Sequence, residues 1–137
     1  MTLITNKMDY QKLSRTSLNG KRVYQCPDGS AVASVTTILD STKDKTHLIE
    51  WRKRVGEQNA VRITKEASGI GTRMHKYIED YIANGKWNEP GSNPYAQQAF
   101  KMAQVVHENA LKDVNEIWGS EVGLYFPKIY AGTTDCV

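Results

Sequence analysis

The sequence predicts an α+β fold: a short N-terminal β-hairpin, a run of helices, and two closing strands that open a mixed sheet. Three observations carry this. Residues 21–34 place two β-favouring runs, K-R-V-Y-Q-C and S-A-V-A-S, on either side of the turn triplet P-D-G. Residues 72–83 carry Met74, Tyr77, Ile78, Tyr81 and Ile82 at the i, i+3, i+4, i+7, i+8 spacing of a helix packed along one side. From about Ile117 the chain turns extended: I-W-G-S-E-V-G-L-Y-F, the connection P-K-I, then Y-A-G-T-T-D-C-V.

Between these anchors each element has a local reason. Ser34 stands at the N-cap of a short helix, V-T-T-I-L-D, and S-T-K-D-K-T is a polar connector. Helices are expected over 46–55 and 57–67, parted by Gly56 acting as a C-terminal stop. Ser68-Gly69-Ile70-Gly71 is expected to break the pattern. A new helix would then open at 72, with N–H groups at its N-terminus able to take a phosphate. On that helix Arg73, Lys76 and Asp80 lie opposite the apolar stripe. His75 and Glu79 fall on its shoulder, where a residue lining a cleft would be. Asn84-Gly85 ends the helix, and N-E-P-G-S-N-P is a loop. Asn93 and Pro94 then form an N-cap and N1 pair for a helix over 94–112, with Ala96, Ala99, Phe100, Ala103 and Val106 on its core side. There is no internal repeat. The expected organisation is a single domain: an arm and hairpin over 1–33, a helical part over 34–112, and the start of a core sheet over 113–137. A closing hairpin of this kind needs more strands and a covering helix. The chain is therefore expected to be the first part of a longer domain, or to complete its sheet by association through the 130–137 edge.

At 137 residues, 39% hydrophobic and 24% charged, the composition is that of an ordinary globular domain rather than a disordered chain. No apolar run has the length to span a membrane. The opening decapeptide M-T-L-I-T-N-K-M-D-Y lacks the h-region of a secretory signal. Cys26 and Cys136 are lone thiols without C-x-x-C spacing, which argues against structural zinc and for a reducing cytoplasm. The net charge of +3 is unevenly spread: residues 43–76 hold nine Lys/Arg against four Asp/Glu, and residues 77–137 hold four against eight. A basic block feeding an acidic one suits a polyanion on one side and a cation on the other. Solvated helix faces produce the same asymmetry.

Four residues offer chemistry. His75 and Glu79 project from one helix face, and Asp135 stands inside an apolar strand. An imidazole, a helix carboxylate and a strand carboxylate form a donor set for a hard divalent cation held against a phosphate. Surface neighbours show the same His-x-x-x-Glu spacing, and the second His of a zinc protease is missing. Strand interiors disfavour Asp, so Asp135 must be hydrogen-bonded, metal-bound or at a sheet end. Glu121 is either a partner orienting that site or the solvent-facing member of the S-E-V-G alternation. Trp51 beside Arg52, Lys53 and Arg54 suits stacking and phosphate contacts on a single strand; a Trp in the helix core with solvated neighbours is the commoner source of the same pattern. Arg62, Arg73 and Lys76 extend this candidate nucleic-acid-binding set. Neither G-x-G-x-x-G nor a P-loop is present, so no nucleotide cofactor is expected.

Taken in order, S-V-T-T-I-L at 34–39, L-I-E-W-R-K-R-V-G-E at 48–57, G-T-R-M-H-K-Y-I-E at 71–79 and E-V-G-L-Y-F-P-K-I-Y-A-G-T-T-D at 121–135 resemble the PD-(D/E)xK nuclease superfamily. Within it they are most similar to RecB-type exonucleases, including phage exonucleases and the mitochondrial genome maintenance exonuclease. The resemblance implies a restriction-endonuclease-like core and Mg²⁺- or Mn²⁺-dependent hydrolysis of DNA, at ends or on single strands, in replication, repair or recombination. It implies that His75 and Asp135 are metal ligands and that Glu79 is a further ligand or orienting group. It also implies a D/E-x-K strand that these residues do not contain, so that residues 1–137 alone are expected to be inactive. The expected location is the cytoplasm, bacterial or that of a phage host. Two alternatives stay open: a non-catalytic nucleic-acid-binding domain, and an interaction module without nucleic acid.

Overall fold

A computed structural model describes Tyr10 and residues 12–137, so that all of the N-terminal decapeptide but Tyr10 lies outside the described residues. The described residues form an α+β structure of four α-helices and a five-stranded mixed sheet. They divide into two compact units: a helical unit, Lys45–Glu116, and a sheet unit built from residues up to Asp44 together with Ile117–Val137. No helix among the described residues is long and apolar enough to cross a membrane.

In the sheet unit, β1 (Ser14–Leu18), β2 (Lys21–Gln25) and β3 (Ala31–Ser34) form an antiparallel meander. The β2–β3 hairpin is the one that P-D-G predicts. Cys26 N–H donates to the Ser30 carbonyl at 2.8 Å, and Asp28 Oδ1 accepts from the Ser30 hydroxyl at 2.6 Å and the Ser30 N–H at 3.0 Å. The hydroxyl first, and the N–H second, hold the Asp28 carboxyl below its usual range.

Strand β1 is absent from the sequence reading. Its signal is the turn and not the strand. Asn19 (φ 52°) and Gly20 (φ 75°) both adopt the left-handed conformation that a two-residue type I′ hairpin requires. The strand itself, S-R-T-S-L, is exposed along its whole length and has no apolar alternation to find.

Strand β3 runs directly into α1 (Val35–Thr42). Ser34 is buried at this junction, and its Oγ accepts the Thr37 N–H at 3.0 Å, the predicted N-cap. The hairpin of β4 (Ser120–Phe126) and β5 (Tyr130–Cys136) completes the sheet in the order β1-β2-β3-β5-β4. Parallel pairing of β3 with β5, Ala33↔Tyr130 and Ser34↔Ala131, joins the two ends of the chain. Of the edge expected at 130–137, β3 covers Tyr130 and Ala131, while the strand partner of Gly132–Cys136 among the described residues is β4 alone. Tyr130 and Ala131 are paired on both sides, α1 packs against β3 and β5, and the outer strands are β1 and β4. Tyr24, Cys26, Val32 and Ala131 make the core, with Leu13 packed against it. The Tyr24 hydroxyl lies 3.0 Å from Thr133 Oγ1, so its burial leaves no polar atom unpaired.

The helical unit contains α2 (Thr46–Val55), α3 (Glu57–Asn84) and α4 (Pro94–Val106), the last followed by one π-helical turn, His107–Leu111. Gly56, at φ 87°, separates α2 from α3 as expected, its N–H reaching the Arg52 carbonyl at 3.0 Å. The break expected at 68–71 does not occur: α3 is one helix of 28 residues. Two interior glycines cost about 1 kcal/mol each. A break would leave two new helix ends, each with four unsatisfied backbone groups, and would require a second costly nucleation. The N–H groups at 72–75 are therefore inside a helix and are not a phosphate site.

Helix α3 packs on α4 through Ile82 and the small, fully buried Ala99 and Ala103. Tyr77 meets Phe100 edge-on at 5.4 Å, and Tyr81 stacks on Trp87 at 4.3 Å. The predicted Asn93 cap is present, its Oδ1 accepting from the N–H of Tyr95 at 2.9 Å.

Candidate functional site

In the sheet unit, the register set by Ser120↔Cys136 and Val122↔Thr134 stands Glu121 opposite Asp135. Both are exposed, and a carboxylate oxygen of each lies within 4.8 Å of the other. Glu121 occupies the left-handed region at φ 53°, inside a strand. Such a conformation costs a residue with a Cβ of the order of 1–3 kcal/mol and is concentrated at sites with a task. No residue-type signal announces it, because Gly, Asn or Asp is the usual occupant. The neighbouring Cys136 thiol is pushed up, first by burial and then by the Asp135 charge.

In the helical unit, His75 and Glu79 stand one turn apart on α3. His75 is exposed and Glu79 half-buried. Lys76 Nζ lies 3.0 Å from Asp80 Oδ1 and 3.9 Å from Glu79 Oε2. The hydrogen bond to Asp80, then the Glu79 charge, raise the Lys76 ammonium above its ordinary value. Glu79 thus already has a cationic neighbour, and Lys76, read from the sequence as a phosphate contact, is shared between two acids.

The cluster on α2 is also divided. Trp51 is half-buried, and Arg52 Nη1 is tied to Glu57 Oε1 at 2.6 Å. Lys53 and Arg54 are exposed. Arg62 pairs with Glu66 at 3.4 Å, and Arg73 is exposed. One cation was missed from the sequence. Lys65 joins Arg62, Arg73 and Lys76 on one face of α3, a spacing hidden when the helix is taken to break at 68–71.

No family model, curated protein or solved structure matches this chain.

Proposed function

We propose that this chain carries the metal-binding part of a divalent-metal-dependent deoxyribonuclease, an exonuclease of the PD-(D/E)xK superfamily acting on DNA ends or single strands. The observation that carries the proposal is the Glu121–Asp135 carboxylate pair, held face to face at the cost of a left-handed glutamate. The order of the four motifs that resemble RecB-type exonucleases supports it. On this reading the sheet belongs to a restriction-endonuclease-like core, and a D/E-x-K strand outside these residues completes the site.

The donor chemistry fits Mg²⁺ or Mn²⁺, which take carboxylate oxygen and, for Mn²⁺, imidazole nitrogen. Two oxygens sharing one Mg²⁺ lie at most about 4.2 Å apart. The Glu121 and Asp135 oxygens, within 4.8 Å, need a small side-chain adjustment at most. The resemblance adds His75 to this reading as a metal ligand and Glu79 as a further ligand or orienting group. A divalent ion supplies polarisation of the phosphate and a lowered pKa for the attacking water. Titration of Mn²⁺ into the protein, followed by paramagnetic broadening, tests the assignment. The Asp135 region should broaden first, and Asp135→Asn should abolish the effect. Broadening that ignores Asp135 would refute it.

The second reading, nucleic-acid binding without catalysis, is favoured by exposed Lys53, Arg54 and Arg73. It predicts salt-dependent binding of DNA with no ion bound at Asp135.

A further inference from the structure

The continuity of α3 lines up side chains that a break at 68–71 would have separated. At 100° per residue, Arg62, Lys65, Gly69, Arg73 and Lys76 fall within an arc of about 80°. The arc lies opposite the packed side that holds Ala60, Met74, Ile78 and Ile82. All four cations are exposed, and they span about 21 Å of helix. Glu66 and Asp80 lie along the same face and engage its two end cations, Arg62 and Lys76. Lys65 and Arg73, in the middle, have no ion-pair partner among the described residues. Between them is Gly69, where an added Cβ would meet nothing within 4 Å.

We infer that this face of α3 is a track for the sugar–phosphate backbone of a nucleic-acid strand, centred on Lys65 and Arg73. The inference rests on the proposed function for the class of polyanion and deepens it by assigning the surface and its central residues. Charge complementarity argues for the occupant. A row of cations along about 21 Å matches a linear polyanion rather than a single anion. Asn59 and Thr72 border the arc as polar residues and Val61 as an exposed apolar one, so the choice of a nucleic-acid strand over a lipid surface rests on the linear row of charge. Gly69 leaves the centre of the row flat, so that a strand can reach both flanking cations.

The test is binding of a labelled single-stranded oligonucleotide in EDTA over a salt series, which is independent of any metal chemistry. Lys65→Ala with Arg73→Ala should weaken binding at least tenfold and lower the slope of log K against log salt by about 1.4, at about 0.7 per phosphate contact on a single strand. The charge-matched pair Lys101→Ala with Lys112→Ala should leave the slope unchanged. Gly69→Leu, which favours helix, should weaken binding without lowering the melting temperature. A wild-type slope in the Lys65/Arg73 variant, equal loss in the control pair, or binding to phosphatidylserine vesicles but not to the oligonucleotide would each overturn the inference. His75→Ala should bind normally in this assay. If the ion assignment fails while the Lys65/Arg73 effect persists, the metal reading alone is lost.

Discussion

Glu121 and Asp135 face each other across the β4–β5 hairpin with carboxylate oxygens within 4.8 Å, and Glu121 reaches that place from a backbone at φ 53°. Both features run against stability. The left-handed backbone costs a few kcal/mol at most, and two like charges at this range repel by about 1 kcal/mol in water. Glu121→Gly removes both costs. It is expected to leave stability unchanged or raise it by about 1 kcal/mol in urea unfolding, while weakening Mn²⁺ binding. A destabilised variant with intact ion binding would contradict a functional role for the pair.

In a protein that also supplies the D/E-x-K strand, DNA degradation should require Mg²⁺ or Mn²⁺ and stop in EDTA. His75→Ala and Asp135→Asn should each lower the rate by at least about a hundredfold, the scale on which loss of a positioned catalytic group is felt. Oligonucleotide binding should survive in both. Full activity in either variant would remove that residue from the site.

The cations of α2 should bind backbone and not sequence. Lys53→Ala with Arg54→Ala should weaken binding to all sequences alike and lower the salt slope. Arg52→Ala should add less, because its guanidinium is already held by Glu57 at 2.6 Å. Filter binding with several unrelated sequences distinguishes this from base readout, which would show sequence-selective loss.

Gly69→Ala reports directly on the continuity of α3. An alanine in an exposed helix interior with nothing within 4 Å should stabilise by about 1 kcal/mol. Thermal unfolding gives the answer. A loss of stability would mean that position 69 is not helical.

Cys136 provides a second view of Asp135. Burial and the Asp135 charge both raise the thiol, so less thiolate is present at a given pH and alkylation should be slow. Asp135→Asn removes one of the two causes and should lower the Cys136 pKa. Alkylation near pH 8 should then accelerate. An unchanged rate would show that the Asp135 charge does not reach the thiol.

Local chemistry determined much of this protein from the sequence alone. Ser34 and Asn93 cap because their side-chain oxygens satisfy orphan helix N–H groups, and both caps are where the sequence puts them. The P-D-G hairpin, the Gly56 stop and the α3 stripe follow from turn chemistry and the 3.6-residue period in the same way. The residue types at His75, Glu79 and Asp135 were legible as possible ligands, since donor chemistry belongs to the side chain. Tertiary structure decided the rest. Residues 68–71 are helical because unbroken hydrogen bonding outweighs two glycine penalties, a balance no four-residue window contains. The parallel pairing of Ser34 with Ala131 joins segments with no shared local signal. It is selected by burial of Tyr24, Val32 and Ala131 in one core. The same register stands Glu121 opposite Asp135, and only that pairing makes two separate acids a pair.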